Sequence, residues 1–331
     1  MHPRVSLLVP TYNYGRFLAQ ALDSLFQQTL RDLEIIVIDD GSTDAETRPV
    51  LAGYVGQEPR LRVIRHERNR GHIASYNEGL EQARGTYVGI VSADDYCLRT
   101  DALERQVAVF EQHPRVGMVY SAHLMLLPDG SVRRVAPAAH DRVWSGLSEF
   151  RRLLWGNDIL HSGTLLRRDV QAELGPYDPS LPQSGDWDLW LRAAARHDVG
   201  YIAEPLYVYR QHPTNMQHKG LPPSAQAEQN WRTLVKAFAA LPADAPADLW
   251  RSRPGALQHA LLQTAWFDLH NGRRRRAWQG VGFALRRSPA IATNSELWRF
   301  LARLGMLTVT GPAAYASLTG ARPAARSLNM L

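Results

Sequence analysis

VGIVSADDY, residues 88–96, is an apolar run of strand length that stops on two adjacent carboxylates, Asp94 and Asp95. Val, Ile and Tyr bounded by Gly85 and by a polar stop read as a strand covered on both faces, the situation of a parallel sheet. In an open α/β sheet, ligands collect outside the carboxyl ends of such strands. Two acids there repel each other unless a divalent cation, held through oxygen together with substrate phosphates, neutralises them. Taken alone, such a pair is more often a solvated turn; a second pair upstream changes the reading.

Upstream, Val5–Val9 is an apolar strand ending in Pro10-Thr11-Tyr12-Asn13, followed by a helical pattern through Phe17, Leu18, Leu22, Leu25 and Phe26. Glu34–Ile38 is a second strand, closed by Asp39-Asp40-Gly41-Ser42-Thr43-Asp44, and Leu61–Ile64 a third. A helix is expected over Ile73–Ala83, after the turn Asn69-Arg70-Gly71. Downstream, Asp101 and Glu104 have the spacing of a capping box for a helix over Ala102–Gln112. Val116–Ser121 is a fifth strand, and Pro128-Asp129-Gly130 marks a hairpin. This alternation predicts right-handed βαβ units and a largely parallel sheet. The region has neither G-x-G-x-x-G nor G-x-x-x-x-G-K-[ST], which argues against a dinucleotide fold or a phosphate loop. A nucleotide site built from carboxylates and a metal remains.

VPTYN at 9–13, IDDGSTD at 38–44, NRG at 69–71, SADDY at 92–96 and GDWDLWLR at 185–192, in this order, resemble the motifs of the family 2 inverting glycosyltransferases, which have the GT-A fold. The resemblance covers residues 4–215. It implies an α/β domain that binds a nucleoside-diphosphate sugar, most often a UDP-sugar. Pro10, Thr11 and Tyr12 would line the base and ribose pocket, and Asp40 would hydrogen-bond the base. Asp94 would face the ribose, and Asp95 would be the main ligand of a divalent metal, Mn2+ or Mg2+, on the diphosphate. Ser92 stands where the family's first Asp is common.

In the second half, Ser162–Leu166 reads as a strand and Val170–Leu174 as a short helix. A longer helix is expected over Asp186–Arg196, with Leu189, Trp190, Ala193 and Ala194 on one face. Asp186 then falls at the helix start, where a carboxylate also serves as a plain N-cap. The resemblance makes Asp186 the general base, with Gly185 in place of the family's Glu, and Asp188 a structural or acceptor-binding neighbour. An inverting transfer needs one such base, which takes the acceptor proton while the nucleoside diphosphate leaves on the opposite face. Trp187 and Trp190 read as sugar-stacking or core residues. Tyr209-Arg210-Gln211-His212 resembles the segment after the family's last strand, which would bring His212 to the metal or diphosphate. His161 is a candidate in the acceptor loop.

The chain has 331 residues, 45% apolar and 21% charged, with a net charge of +6 and a single cysteine, Cys97. The composition is that of a globular protein of one large or two modest domains. We expect a catalytic domain over 1–220 and an α-helical C-terminal region over 221–331, with helices over Ala225–Leu241 and Gly255–Leu269. Pro222, Pro223, Pro242, Pro246 and Pro254 punctuate that region. From Arg273 onward there are ten arginines, no lysine and one acid, Glu296, so this tail carries +9 and the rest −3. Trp278, Val281 and Leu285, then Leu297, Phe300, Leu301 and Leu304, recur at helical spacing beside arginines. Such helices lie on an anionic membrane surface or pack on the catalytic domain. The uncharged stretch between Arg303 and Arg322, with Gly305, Gly311, Pro312 and Gly320, is too broken to span a bilayer. No nucleic-acid module accompanies the basic residues. One cysteine and no visible signal segment lead us to expect a cytoplasmic protein. The acceptor would be a saccharide or lipid-linked saccharide of cell-envelope or extracellular polysaccharide synthesis. Competing readings are a nucleotidyltransferase that makes sugar nucleotides and a sugar-nucleotide-binding protein without turnover.

Overall fold

The computed structural model describes residues 2–216 and 221–306. It divides into two compact units, one of Met1–Phe150 with Ile159–Asn215, the other of Arg151–Asp158 with the chain from Met216 onward.

In the first unit, β1 (Val5–Thr11), β2 (Leu33–Asp39), β3 (Leu61–Arg65) and β4 (Tyr87–Ile90) pair in parallel in the order β3-β2-β1-β4. Apart from half-buried Pro10, every residue of β1 and β2 is buried, as expected of strands covered on both faces. Six further strands complete the sheet: β5 (Tyr96–Cys97), β6 (Val116–Leu126), β7 (Val132–Val135), β8 (Arg142–Trp144), β9 (Leu165–Arg167) and β10 (Asp198–Arg210). Beyond β4 the order continues β9-β6-β10-β5 and the pairing is mixed, with β6 and β10 parallel and β5, β7, β8 and β9 antiparallel to their neighbours. The Pro128-Asp129-Gly130 turn joins β6 to β7, a hairpin that needs no helical crossover.

Seven helices of this unit and its border are α1 (Gly15–Phe26), α2 (Thr47–Tyr54), α3 (His72–Gln82), α4 (Ala102–Gln112), α5 (Gly146–Leu153), α6 (Arg168–Leu174) and α7 (Gly185–Ala194). α1 buries Leu18, Ala21, Leu22 and Leu25, the three- and four-residue spacing of one helix face. The expected capping box is not formed. The Asp101 side chain makes no cap bond and instead accepts from Arg99 Nε at 2.8 Å and Arg105 Nε at 2.7 Å, two guanidiniums that outbid neutral backbone amides.

Two pieces of sheet geometry set up the site. The strand in VGIVSADDY ends at Ile90, and Ser92–Asp95 is a turn closed by Asp95 N–H donating to the Ser92 carbonyl at 3.0 Å. β5 then runs antiparallel to the end of β10, with Val208 opposite Tyr96, so the residues that follow β10 meet the acids that precede β5. A parallel bridge between Ile90 and Ser162 brings Ser162 beside the same turn.

The second unit is helical: α8 (Pro223–Ala240), α9 (Ala247–His270), α10 (Arg274–Arg287) and a last helix over 295–306. α9 begins well before the expected Gly255 and runs through Pro254. Proline forfeits one helix hydrogen bond, and the buried Leu261, Leu262, Ala265 and Leu269 downstream outweigh it. The two apolar stripes of the tail belong to this unit's own core. Val281, Leu297, Phe300 and Leu304 are buried with Ala227 of α8 and the α9 residues, while Trp278 and Trp298 are exposed. Among the described residues no helix is long and apolar enough to cross a membrane. The uncharged stretch from Leu307 onward lies outside the described residues.

Candidate active site

The Ser92–Asp95 turn separates its two carboxylates. Asp95 points inward: Ser162 Oγ donates to Oδ2 at 2.5 Å and Arg210 N–H to Oδ1 at 3.0 Å. Burial, then the neighbouring Asp94 charge, push its carboxyl well above the usual carboxylate range, against the opposing pull of Ser162 and Arg210. Asp94 faces the segment after β10. Its Oδ2 lies 3.0 Å from His212 Nε2 and accepts from Asn215 Nδ2 at 3.1 Å. His212 Nδ1 lies 2.8 Å from Thr214 Oγ1, and its ring packs on Phe17 at 4.7 Å between centroids. Arg210 braces the turn, donating from Nε to the Asp94 carbonyl at 3.0 Å with its guanidinium over Phe17 and Tyr96.

At the ends of β1 and β2 the other acid pair also divides. Asp39 is spent on structure, accepting from Arg65 Nε at 3.0 Å and Ser42 N–H at 2.9 Å. Asp40 accepts from Arg70 N–H and Gly71 N–H, each at 2.8 Å, and lies 2.6 Å from His66 Nδ1. Gly71 has φ of 90°, a left-handed conformation that aims its N–H at Asp40 without strain. His66 Nε2 is held in turn by Glu78, 2.9 Å away. Thr11 is buried, Pro10 half-buried, and Tyr12 exposed beside them. Asn13 Oδ1 accepts from Thr43 N–H and Asp44 N–H at 2.7 and 3.0 Å, tying the β1 turn to the β2 turn.

Asp186 stands half-buried in the first turn of α7, its Oδ1 accepting from Trp187 N–H at 2.7 Å. Gly185 lies where α7 comes close to α3: a Cβ there would lie 3.2 Å from Ile73 Cδ1 and 3.6 Å from Tyr177 Cδ1, so a side chain at this position requires Ile73 to give way by a few tenths of an ångström. Asp188, two residues on, is buried and paired with Arg192 through Nε at 2.9 Å and Nη2 at 2.8 Å, a structural ion pair. Trp187 and Trp190 are core. His161 lies under α7, 2.9 Å from the Tyr177 hydroxyl and edge-on to Trp190, with burial pushing its imidazole down to about 3. Tyr76 of α3 ties the two halves together. Burial first, then Asp186, Asp94 and Asp95, raise its hydroxyl well above the ordinary tyrosine value, so all three carboxylates act on one buried phenol.

The structure thus brings Asp94, Asp95 and His212 into one cluster, sets Tyr76 in the field of Asp94, Asp95 and Asp186, and holds Asp40 with Thr11 at the β1–β2 end. Sequence reasoning missed Ser162, Arg210, Asn215, His66 and Tyr76. Arg210 was visible as the basic residue ending a long apolar strand. The others carry no local signal, since their partners lie far along the chain.

A family model described as "Glycosyl transferase family 2" matches residues 6–174. The chain belongs to that family. Its fold is GT-A, an α/β domain, with a helical C-terminal region. The PGL/p-HBAD biosynthesis glycosyltransferase Rv2957 of Mycobacterium tuberculosis is 28% identical over 190 residues, 57% of this chain and 69% of that protein. The uncharacterized glycosyltransferase EpsJ of Bacillus subtilis is 30% identical over 238 residues, 65% of this chain and 63% of EpsJ. Protein y4gI of Sinorhizobium fredii is 33% identical over 217 residues, 64% of this chain but only 23% of its own length. Among solved structures, S. aureus TarS 1-349 in complex with UDP-GlcNAc superposes with a TM-score of 0.65 at 19% identity, covering 87% of this chain and 83% of that one. The mannosyltransferase PcManGT of Pyrobaculum calidifontis, in complex with GDP-Man and Mn2+, does so at 0.56 and 22%, covering 97% and 84%. The family match ends before α7 and so does not cover Asp186 or His212.

Proposed function

We propose that this chain transfers a sugar from a nucleoside-diphosphate sugar to an acceptor hydroxyl with inversion, with Asp186 as the general base. The observation that carries the reading is that the turn after β4 and the start of α7 both lie near Tyr76 and His161, with Asp94 and Asp186 both raising the Tyr76 phenol. An inverting displacement needs this pairing: a group that holds the leaving diphosphate and, across the sugar, a carboxylate that takes the acceptor proton. Asp186 is half-buried, whereas Asp188 is buried and ion-paired with Arg192.

A divalent metal fits part of this site. Among the described residues no three His, Cys, Asp or Glu side chains gather as a ligand set. Mg2+ and Mn2+ sites in such enzymes take one or two protein ligands and fill the rest with water and phosphate oxygens. Asp94 with His212 Nε2 is such a pair. The Thr214 hydroxyl can hold the Nδ1 proton, which leaves the Nε2 lone pair for a cation. Asp95, expected as the main ligand, is the poorer choice because both its oxygens are hydrogen-bonded and burial favours its protonated form. What the cation supplies when bound is neutralisation of charge growing on the leaving diphosphate. In PcManGT, the neighbour with Mn2+, the bound donor is GDP-Man.

For the base, Asp40 favours uracil. A carboxylate has about four lone-pair positions, and three are already filled by Arg70 N–H, Gly71 N–H and His66. The one remaining accepts the single N–H of a uracil edge, whereas guanine presents two donors side by side. Pro10, Thr11 and Tyr12 would frame that base. The acceptor is a saccharide or lipid-linked saccharide, used on the cytoplasmic face of a membrane; the relative named for PGL/p-HBAD biosynthesis supports a biosynthetic transfer. The exposed Trp278 beside Arg275 and Arg286 suits a peripheral contact with anionic lipid.

The test is a thermal-shift panel of UDP-GlcNAc and GDP-mannose with and without Mn2+. A donor at one hundred times its dissociation constant stabilises by about 2.7 kcal/mol. Stabilisation by UDP-GlcNAc but not by GDP-mannose is expected; the opposite order would contradict the base assignment, and no shift with either would contradict the donor reading.

A further inference from the structure

Tyr76 is a buried phenol whose hydroxyl has no hydrogen-bond partner among the described residues. It projects from α3, is 8% exposed, and has its ring fixed edge-on by His72, His161 and Tyr177, with centroids at 5.3, 5.1 and 5.3 Å. The polar atoms around it are engaged elsewhere. His161 Nε2 is 2.9 Å from the Tyr177 hydroxyl, His72 Nε2 donates to the Pro182 carbonyl at 2.8 Å, and Asn77 exchanges two bonds with the Tyr177 backbone at 3.0 and 2.9 Å. A phenylalanine would fill this ring site equally well. A hydroxyl held in place by its packed ring and without a protein partner is left to bond water or a ligand.

The surroundings say which ligand. The ring packs on His161, which touches Trp190 of α7 and whose neighbour Ser162 donates to Asp95 and accepts from the Ser92 N–H, so Tyr76 stands near both the α7 start and the Ser92–Asp95 turn. Burial and the charges of Asp186, Asp94 and Asp95 keep the phenol protonated. It is therefore a hydrogen-bond donor at any working pH, near both the proposed base and the carboxylate proposed to hold the diphosphate. In an inverting transfer the sugar lies between the base and the leaving diphosphate.

We propose that the Tyr76 hydroxyl contacts the sugar being transferred, donating a hydrogen bond to one of its hydroxyl oxygens, and so contributes to donor-sugar recognition. This rests on the donor reading above. The substitution Tyr76→Phe keeps the ring packing and removes only the donor. Its control is Tyr177→Phe, which removes the neighbouring hydroxyl of the same aromatic cluster.

The experiment is calorimetric titration of full-length wild type and both variants with UDP and UDP-GlcNAc, and with GDP and GDP-mannose, in Mn2+. The quantity read is the ratio of nucleotide-sugar affinity to that of the matching diphosphate. In Tyr76→Phe the nucleotide sugar should bind about tenfold more weakly, the value of one hydrogen bond, while the bare diphosphate binds as in wild type. Tyr177→Phe should leave the ratio unchanged. Equal weakening of diphosphate and nucleotide sugar in Tyr76→Phe, no weakening of either, or the same loss in Tyr177→Phe would each overturn the contact. Wild type that binds neither UDP nor GDP would overturn the donor reading, and Tyr76's role with it.

Discussion

Asp186 and Asp188 stand two residues apart on α7, and their environments predict opposite consequences of the same Asp→Asn change. The Asp188 side chain is fully buried and gripped by the Arg192 Nε and Nη2, and Arg192 also donates to the carbonyls of Leu174 at 2.5 Å and Pro176 at 3.2 Å. Asp188→Asn leaves that guanidinium short of its counter-charge in the interior. Breaking a buried pair costs about 3–5 kcal/mol, and asparagine, which keeps the shape and one acceptor, should fall at about 3. For a folded unit of about 200 residues each kcal/mol lowers Tm by about 2–4 °C, so a drop of about 6–12 °C is expected. Asp186 is half-buried and its bond from Trp187 N–H survives in asparagine, so Asp186→Asn should hold its Tm and its donor affinity. Its loss is in chemistry, about 10²–10⁴-fold in transfer rate, because an amide cannot take the acceptor proton. Thermal melts, donor titration and turnover of released nucleoside diphosphate read the three quantities on each variant. Asp188→Asn that melts like wild type but is inactive, or Asp186→Asn that turns over normally, would show that the wrong carboxylate has been assigned.

Three further outcomes follow from the same geometry. Asp94→Ala should abolish the Mn2+-dependent part of donor binding, measured with and without EDTA, while Asp95→Ala should chiefly lower Tm by freeing Ser162 and Arg210 N–H; the reverse pattern would return the metal to Asp95. His123 is buried, and burial followed by the Arg133 charge pushes its imidazole down to about 4. Since its unfolded value is about 6.5, protonation favours unfolding, and stability should fall as pH drops from about 6.5 to about 4, by at most about 3 kcal/mol. His123→Gln should flatten that part of the pH–stability curve in denaturant titrations. Charge reversal at Arg275 and Arg286, on the surface of α10, should reduce co-sedimentation with phosphatidylserine vesicles at low salt by roughly 1 kcal/mol per arginine; unchanged sedimentation would remove the membrane contact.

Much of the nucleotide half was legible because its signals are local. Two apolar runs, β2 and β4, are followed by acid pairs, and both lie parallel to β1, one on each side of it. What was not legible is how each pair divides. Asp39 and Asp40 look alike in sequence, but alternate side chains of an extended chain leave on opposite sides, and one meets Arg65 while the other meets the Gly71 turn. Asp94 and Asp95 divide through the register of β5 on β10, which couples residues more than a hundred positions apart, and local patterns carry nothing of that. The capping box at Asp101 failed for a related reason, since Arg99 and Arg105 compete for the same carboxylate. Gly185 looked like a missing glutamate; in the fold it is the close approach of α7 to Ile73. The tail's apolar stripes were real, but periodicity shows that a face is buried without showing what covers it, and here it is the neighbouring helices.

The most direct measurement is the anomeric configuration of the product. With an α-linked donor such as UDP-GlcNAc, Mn2+, and methanol as a surrogate acceptor that locks the anomer as a methyl glycoside, proton NMR reads the outcome without mutarotation. The account predicts the β-glycoside, formed by wild type and nearly absent with Asp186→Asn. The α-glycoside, or a β-glycoside formed equally well by Asp186→Asn, would contradict it.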